Sequence, residues 1–364
     1  MDTDRRIALV MKRPTEEVVT VERLREMFET KKEIRHYIGY EISGFLHLGG
    51  LAAALKIHDF IEAGIRPMIW LADYHSVINK KLGGDVELIR KVANGYFKHA
   101  FISMGLDESK VDYVMASDVY NQDYWGTVLK VGNEATLSRV KRAMTIMGRK
   151  ESDESPASFI VYPLMQAADI FHLDIDIMHA GMDQRKVHML AIDVAEKLGR
   201  QKPVAVHMHL LPSLKSDGRM NPGEQRTDKN ELMAEIAESN KMSKSKPDTA
   251  IFVNDSEDEI MRKMKAAVCQ QKETDGNPVF EILKYIILRD DSAIMKIERP
   301  AKYGGDVQGT LPEIEKMYKE GALFPLDLKE AVARELTGML KPSREYFAKH
   351  PDFIDQLRLG SITR

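Results

Sequence analysis

Between residues 36 and 211 short apolar runs alternate with longer stretches of helical periodicity, and that alternation limits the fold more than any other feature. The runs are HYIGYE (36–41), RPMIWLADYH (66–75), VDYVMAS (111–117), DIDIMHAG (174–181) and PVAVHMHLL (203–211). Between them lie LAAALKIHDFIEAG, DVELIRKVANGYFKHAFISMGL, helical patterns over 119–150, FIVYPLMQAADIFHL (159–173) and QRKVHMLAIDVAEKLG. Strands this apolar are buried on both faces, and the helices that follow them supply the cover, as in a parallel α/β sheet of the doubly wound (Rossmann-like) type. The charged first 35 residues, with VERLREMFETKK, read as a helical extension, 1–35. Residues 212–240 form a polar insertion without a strong period, followed by a short strand, TAIFV. Everything after it is helical in pattern, so the expected organisation is a sheet domain over 36–255 and an all-helical domain over 256–364.

At 364 residues the chain has room for two or three domains of roughly 150 residues each and needs no staples. Hydrophobic residues make up 43% and charged residues 30%, a globular balance. Cys269 is the only cysteine, which excludes an internal disulfide and a thiolate metal cluster. The start, MDTDRRIALVMKRPTEE, lacks the apolar core of a signal peptide, and no run reaches membrane-spanning length, so a cytoplasmic protein is expected. A net charge of −3 and a pI near 6.4 give no global nucleic-acid signature and no case for DNA. A local basic stripe, RVKRAMTIMGRK (139–150), can still meet phosphates.

Three constellations carry chemistry. The turn after the first run reads EISGFLHLGG (41–50), with glycines around His47 where a strand hands over to a helix. Such a turn lets backbone approach a nucleotide, and the helix start favours negative charge. It is neither a P-loop nor GxGxxG. The second is KMSKS, residues 241–245, about 190 residues later and across the whole alternating region. Its chance occurrence in a chain this long is on the order of one in ten thousand. Two lysines on a polar loop suit a mobile cationic clamp for a triphosphate. The third is the helix YPLMQAAD (162–169), where spacings of four and three put Tyr162, Gln166 and Asp169 on one face. A phenol, an amide and a carboxylate on an otherwise apolar face are costly to bury without partners, so they point to a polar ligand.

The paired turn and KMSKS are the signatures of class I aminoacyl-tRNA synthetases. With YIGYEISGFLHLGG, WLADYH, VYPLMQAADI and GMDQRKVHML in order, residues 36 to about 340 resemble the tyrosyl-tRNA synthetases of the archaeal and eukaryotic type. The resemblance implies a tyrosine site in which Tyr37 and Asp169 take the substrate hydroxyl, Tyr162, Gln166 and Gln184 take the α-amino group, and Glu41 lies near its backbone end. It implies ATP, with Mg²⁺ held by the phosphates, against Gly39, His47, Gly49, Gly50, Lys241, Met242, Ser243 and Lys244. Lys241, Lys244 and His47 are the implied catalytic groups. For tRNA-Tyr it implies Arg142 and Arg185 at the acceptor stem, and Tyr303, Phe324 and Asp327 at the anticodon. A homodimer joined through the 119–150 insertion is also implied. No residue spacing suggests a protein-bound metal.

Two departures stand out. The first motif ends in Gly50 where a second histidine is familiar, and Trp70 stands where a smaller aliphatic is usual; its ring is expected to fill space beneath the substrate. Three rival readings remain on the sequence alone. A tryptophanyl-tRNA synthetase would share fold and motifs. A catalytically weakened tRNA-binding paralogue would explain Gly50. A small-molecule nucleotidyltransferase with a similar turn fits the helical C-terminal region less well.

Overall fold

The computed structural model describes residues 1–147, 156–216, 241–242 and 247–362. The polar insertion expected at 212–240 lies outside the described residues from 217 onward, as do Ser243 and Lys244.

Six strands form one sheet: β1 Thr15–Val19, β2 Arg35–Tyr40, β3 Arg66–Leu71, β4 Asp112–Met115, β5 Ile177–Gly181 and β6 Val204–Met208. Their order is β1-β6-β5-β2-β3-β4; β1 is antiparallel to β6 and every other neighbouring pair is parallel. From β2 the chain proceeds outward through β3 and β4, then returns to β5 on the other side of β2 and continues to β6. The order therefore reverses between β2 and β5, and a doubly wound sheet opens its crevice at the carboxyl ends of such a pair. This is the expected fold class, reached by the expected buried runs: β6 is buried at all five positions, and Ile38, Ile69, Ile177 and Val204 are each at most 2% exposed.

Several expectations change. The first 35 residues are not wholly helical, because TEEVV forms β1 between the helices Thr3–Met11 and Val21–Thr30. Its acidic pair hides the strand from a hydrophobicity pattern, but Glu17 is well partnered: it accepts from Nδ1 of the buried His207 at 2.7 Å and from Arg185 Nε and Nη2 at 2.8 and 2.9 Å. The second run ends as a strand at Leu71, since Asp73–Ile78 is a helix. TAIFV gives only an isolated bridge, His47 to Phe252, rather than a strand. The C-terminal region is helical apart from a two-stranded ribbon, β7 Met295–Ile297 with β8 Val307–Gly309, whose strands are too short for any period to show. One apolar core, from Ile38 through Phe97 and Ile260 to Leu340, runs across the boundary expected near residue 255.

Glu17 yields a stability prediction. The hydrogen bond from His207, then those from Arg185, hold its carboxyl down to about 2 from 4.5, against the opposing effect of burial. A depressed carboxyl stabilises the fold above its unfolded pKa, and that stabilisation is lost as pH falls toward the folded value. Glu17→Gln is expected to lower the unfolding free energy at pH 7 by about 1–2 kcal/mol, discounted because the side chain is partly solvated. Urea titrations should show the difference from the parent shrinking as pH falls from about 4.5 toward about 2.

Candidate active site

β2 delivers the first residues of the site. Tyr37 is 1% exposed, and Gly39 leaves bare backbone at the crevice, where a Cβ would stand 3.5 Å from the Tyr37 ring and 3.7 Å from Trp70. The turn that follows is fixed from two sides. Tyr96, in the π-helical turn Ala93–Phe97, accepts from Leu46 N at 3.0 Å and donates to Asn254 Oδ1 at 3.1 Å. Leu48 N and Val253 N bond across to Ile251 O and Leu46 O at 3.0 and 2.9 Å. The segment just beyond KMSKS is thereby fastened to the glycine turn, which brings together two motifs far apart in sequence.

His47 is the N-cap of the helix Leu48–Glu62: its Nδ1 accepts from Gly49 N at 2.9 Å. The ring folds so closely over the helix start that a Cβ at Gly49 would lie 2.7 Å from it, so only glycine permits this cap. With Nδ1 accepting, the proton of the neutral ring is assigned to Nε2, the nitrogen able to donate to a phosphate oxygen. Gly50 is buried, and a Cβ there would meet Leu46 Cδ2 at 3.1 Å. Where a second histidine is familiar, a side chain at 50 would need the Leu46 side chain to give way by a few tenths of an ångström.

The pocket helix is Ser158–His172. The three polar residues expected on one face each find a different partner. Tyr162 donates to Glu41 Oε1 at 2.7 Å, an oxygen that also accepts from Asn79 Nδ2 at 2.7 Å, and Lys81 lies 3.2 Å from Glu41 Oε2. Gln166 Nε2 donates to Gln184 Oε1 at 3.3 Å, and Gln184 Nε2 to Ile146 O at 3.2 Å. Asp169, 1% exposed, accepts from Tyr120 Oη at 2.9 Å. Burial raises its carboxyl to about 8, against the hydrogen bond from Tyr120 and the nearby polar tips of Tyr124 and Trp70, which favour the charged form. The Tyr37 phenol is raised well above its ordinary value by burial and by the nearby Asp169 charge. Trp70 does more than fill space: its ring is 1% exposed and its Nε1 lies near Asp169 without completing a hydrogen bond.

At the exit of β6, Met242 N bonds Leu211 O at 3.0 Å and Lys241 Nζ donates to Asp183 Oδ2 at 2.5 Å. Asp183 follows β5, so this lysine stands at the same strand ends as Gly39 and Gln184. Lys244 and Ser243 lie outside the described residues.

The expected nucleic-acid contacts fall in two places. Arg142 is exposed on the helix Leu137–Ala143, while Arg185, at the start of Arg185–Ala195, is clamped by Glu17. Far along the chain, Tyr303 and Phe324 are 51% and 44% exposed with ring centroids 6.3 Å apart, and Lys302 Nζ sits 4.8 Å over the Tyr303 ring. Asp327 opens the helix Pro325–Lys349, and its Oδ2 makes no hydrogen bond among the described residues. Sequence reasoning missed Tyr120, Asn79, Lys81 and Asp183. None belongs to a periodic pattern, and only the neighbouring GMDQRK stretch hinted at Asp183.

Residues 29–341 match the family model of the class I tRNA synthetases (W and Y). The chain is 48% identical over 380 aligned residues to the tyrosine–tRNA ligase of Pyrococcus abyssi, with 100% of both chains covered. The crystal structure of tyrosyl-tRNA synthetase from Pyrococcus horikoshii complexed with L-tyrosine is similar at 47% identity and a TM-score of 0.91, over 98% of this chain and 100% of that one. Tryptophanyl-tRNA synthetase from Aeropyrum pernix shares the fold, with a TM-score of 0.67 at 16% identity over 93% of this chain and 84% of that one.

Proposed function

Because the chain belongs to the class I tRNA synthetases of tryptophan and tyrosine, we propose that its crevice activates L-tyrosine with ATP and passes the acyl group to tRNA-Tyr. Tyrosine–tRNA ligation is the activity of this sequence class: relatives so named are 48% and 47% identical over 100% of both chains. Within the molecule one observation supports tyrosine above all. A buried carboxylate, Asp169, stands with Tyr37 at the closed end of the crevice, 1% exposed each, where a phenol hydroxyl has something to donate to.

The tyrosine carboxylate attacks the α-phosphorus of ATP in line; the bond to the bridging oxygen breaks and pyrophosphate leaves. The terminal ribose hydroxyl of the tRNA then attacks the carbonyl carbon of the adenylate and AMP leaves. No side chain forms a covalent intermediate, so the protein contributes position and charge. Tyr37 and Asp169 hold the phenol; Tyr162, Gln166 and Gln184, with Glu41, hold the amino-acid end. Gly39, Gly49 and Gly50 leave backbone open to ATP, His47 Nε2 donates to a phosphate oxygen, and Lys241 and Lys244, with Met242 and Ser243 of the same motif, meet the leaving pyrophosphate. Among the described residues no group of three or more His, Cys, Asp or Glu could hold a metal, and we place the Mg²⁺ that accompanies ATP on its phosphates.

Arg142 and Arg185 face the acceptor stem in this reading, and Tyr303, Phe324 and Asp327 the anticodon, where stacking and edge contacts read unpaired bases. A homodimer through the 119–150 region is supported by exposed apolar side chains there: Trp125 at 41%, Leu129 at 70% and Leu137 at 58%. Sedimentation is expected to show a dimer, and Leu129→Glu to shift it toward monomer. No described helix is long and apolar enough to cross a membrane, and action in the cytoplasm is part of the proposal. ATP–pyrophosphate exchange with a panel of amino acids tests the activity: tyrosine alone is expected to support it, and exchange with tryptophan only would overturn the reading.

A further inference from the structure

The closed end of the crevice holds more polar atoms than its own hydrogen bonds use. Tyr120 donates to Asp169 Oδ1 at 2.9 Å, its ring stacked on Tyr124 with centroids 3.8 Å apart. That proton being committed, His75 Nδ1, which faces Tyr120 Oη at 3.4 Å, is assigned as the donor in their contact, leaving Nε2 of the neutral ring as an acceptor. Nε2 is buried without a partner and stands 4.0 Å from Asp169 Oδ2. On a further side the buried Trp70 Nε1, a donor, completes no hydrogen bond. A carboxylate oxygen still free to accept, with an idle indole donor close by, matches a hydroxyl, which gives its one proton to the first and receives from the second.

We propose that Tyr120 is a positioning residue for amino-acid selection: by holding Asp169 Oδ1 it leaves Oδ2, beside His75 and Trp70, as the acceptor that the substrate hydroxyl must fill. This rests on the tyrosine reading above. Phenylalanine would leave those atoms unmatched in a buried place, and it is the fixed orientation of the carboxylate that makes the mismatch costly. Tyr120 also favours the charged form of Asp169, which burial otherwise resists up to about 8. The other groups facing Asp169 are His75 on the helix Asp73–Ile78, kept neutral by burial with a pKa of about 3, Tyr124 on Gln122–Glu134 and Tyr37 on β2.

Tyr120→Phe removes the hydroxyl alone. In pyrophosphate exchange its KM for tyrosine is expected to rise about tenfold with kcat within about twofold, while kcat/KM for phenylalanine stays level, so selectivity falls about tenfold. The pH at which tyrosine KM improves should move up by about one unit, because the charged carboxylate has lost a donor. Equal losses for tyrosine and phenylalanine, with an unmoved pH profile, would show a merely structural role and overturn the proposal. Should the parent chain fail to exchange with tyrosine, the activity reading falls; thermal shifts of parent and variant with tyrosine and with phenylalanine still decide the role of Tyr120.

Discussion

Asp169→Ala is expected to lower kcat/KM for tyrosine by about 10²–10³-fold and to erase most of the preference for tyrosine over phenylalanine. A hydrogen bond to a charged group contributes about 1.5–3 kcal/mol, and the truncation also strands the Tyr120 hydroxyl, which now donates to Asp169 at 2.9 Å. Rejection of an analogue lacking a hydroxyl arises from buried groups left unpaired, an effect for which tyrosine-specific synthetases are themselves the standard illustration. The fold should tolerate the change. A carboxyl whose burial pushes it up to about 8 gains little from being where it is, so its removal relieves a desolvation cost that offsets the small cavity. The measurement is exchange with tyrosine and phenylalanine in parallel, alongside a melting curve. A variant that melts near the parent temperature yet keeps its tyrosine preference would remove Asp169 from the selection of the substrate. Asp169→Asn, of the same shape, serves if the alanine variant is poorly folded, and it is expected to lose less because its amide still offers one acceptor oxygen.

Why Asp169 was legible in the sequence while its partner was not comes down to periodicity. Tyr162, Gln166 and Asp169 share a face because they lie on one helix, Ser158–His172, and helical spacing can be counted. Tyr120 precedes the helix Gln122–Glu134, 49 residues before Asp169, and reaches it only because that helix packs on the pocket helix. Glu41 and Tyr162 meet across 121 residues for the same kind of reason. The sheet followed the same rule. Runs long and apolar enough to be buried on both faces, such as VAVHM in β6, could be read; TEEVV could not, because its acidic pair breaks the apolar pattern, and the partnering of Glu17 by His207 and Arg185 across the ladder with β6 shows only in the structure. Gly50 read as a lost catalytic group, and only the closeness of Leu46 shows a packing reason for it.

Lys241→Ala is expected to reduce the maximal rate of tyrosine-dependent pyrophosphate exchange by about 10²–10³-fold, the usual loss when one preorganised donor is taken from a developing charge. KM for tyrosine should stay within about threefold, because the proposed grip on the amino acid, through Tyr37 and Asp169, lies at the other end of the crevice. Lys241 stands ready for this part: its ammonium is paired with Asp183 at 2.5 Å, at the strand ends, with its side chain 31% exposed. A triphosphate offers that ammonium more negative charge than one carboxylate does, so binding ATP can draw it from Asp183 to the pyrophosphate. Charge that strengthens its contacts as the α–β bridge breaks accelerates the step; charge that binds ATP equally before and during the step only lowers its KM. The split between kcat and KM for ATP therefore separates the two. A third behaviour, lower melting temperature with parallel losses in tyrosine and ATP affinity, would mean that the Lys241–Asp183 pair merely ties the segment bridged to Pro212 to the end of β5. Lys241→Arg completes the comparison: it keeps the charge on a longer, forked head, and it should recover part of the rate if charge at the leaving group is what counts, and none of it if the compact ammonium itself must reach the bridging oxygen.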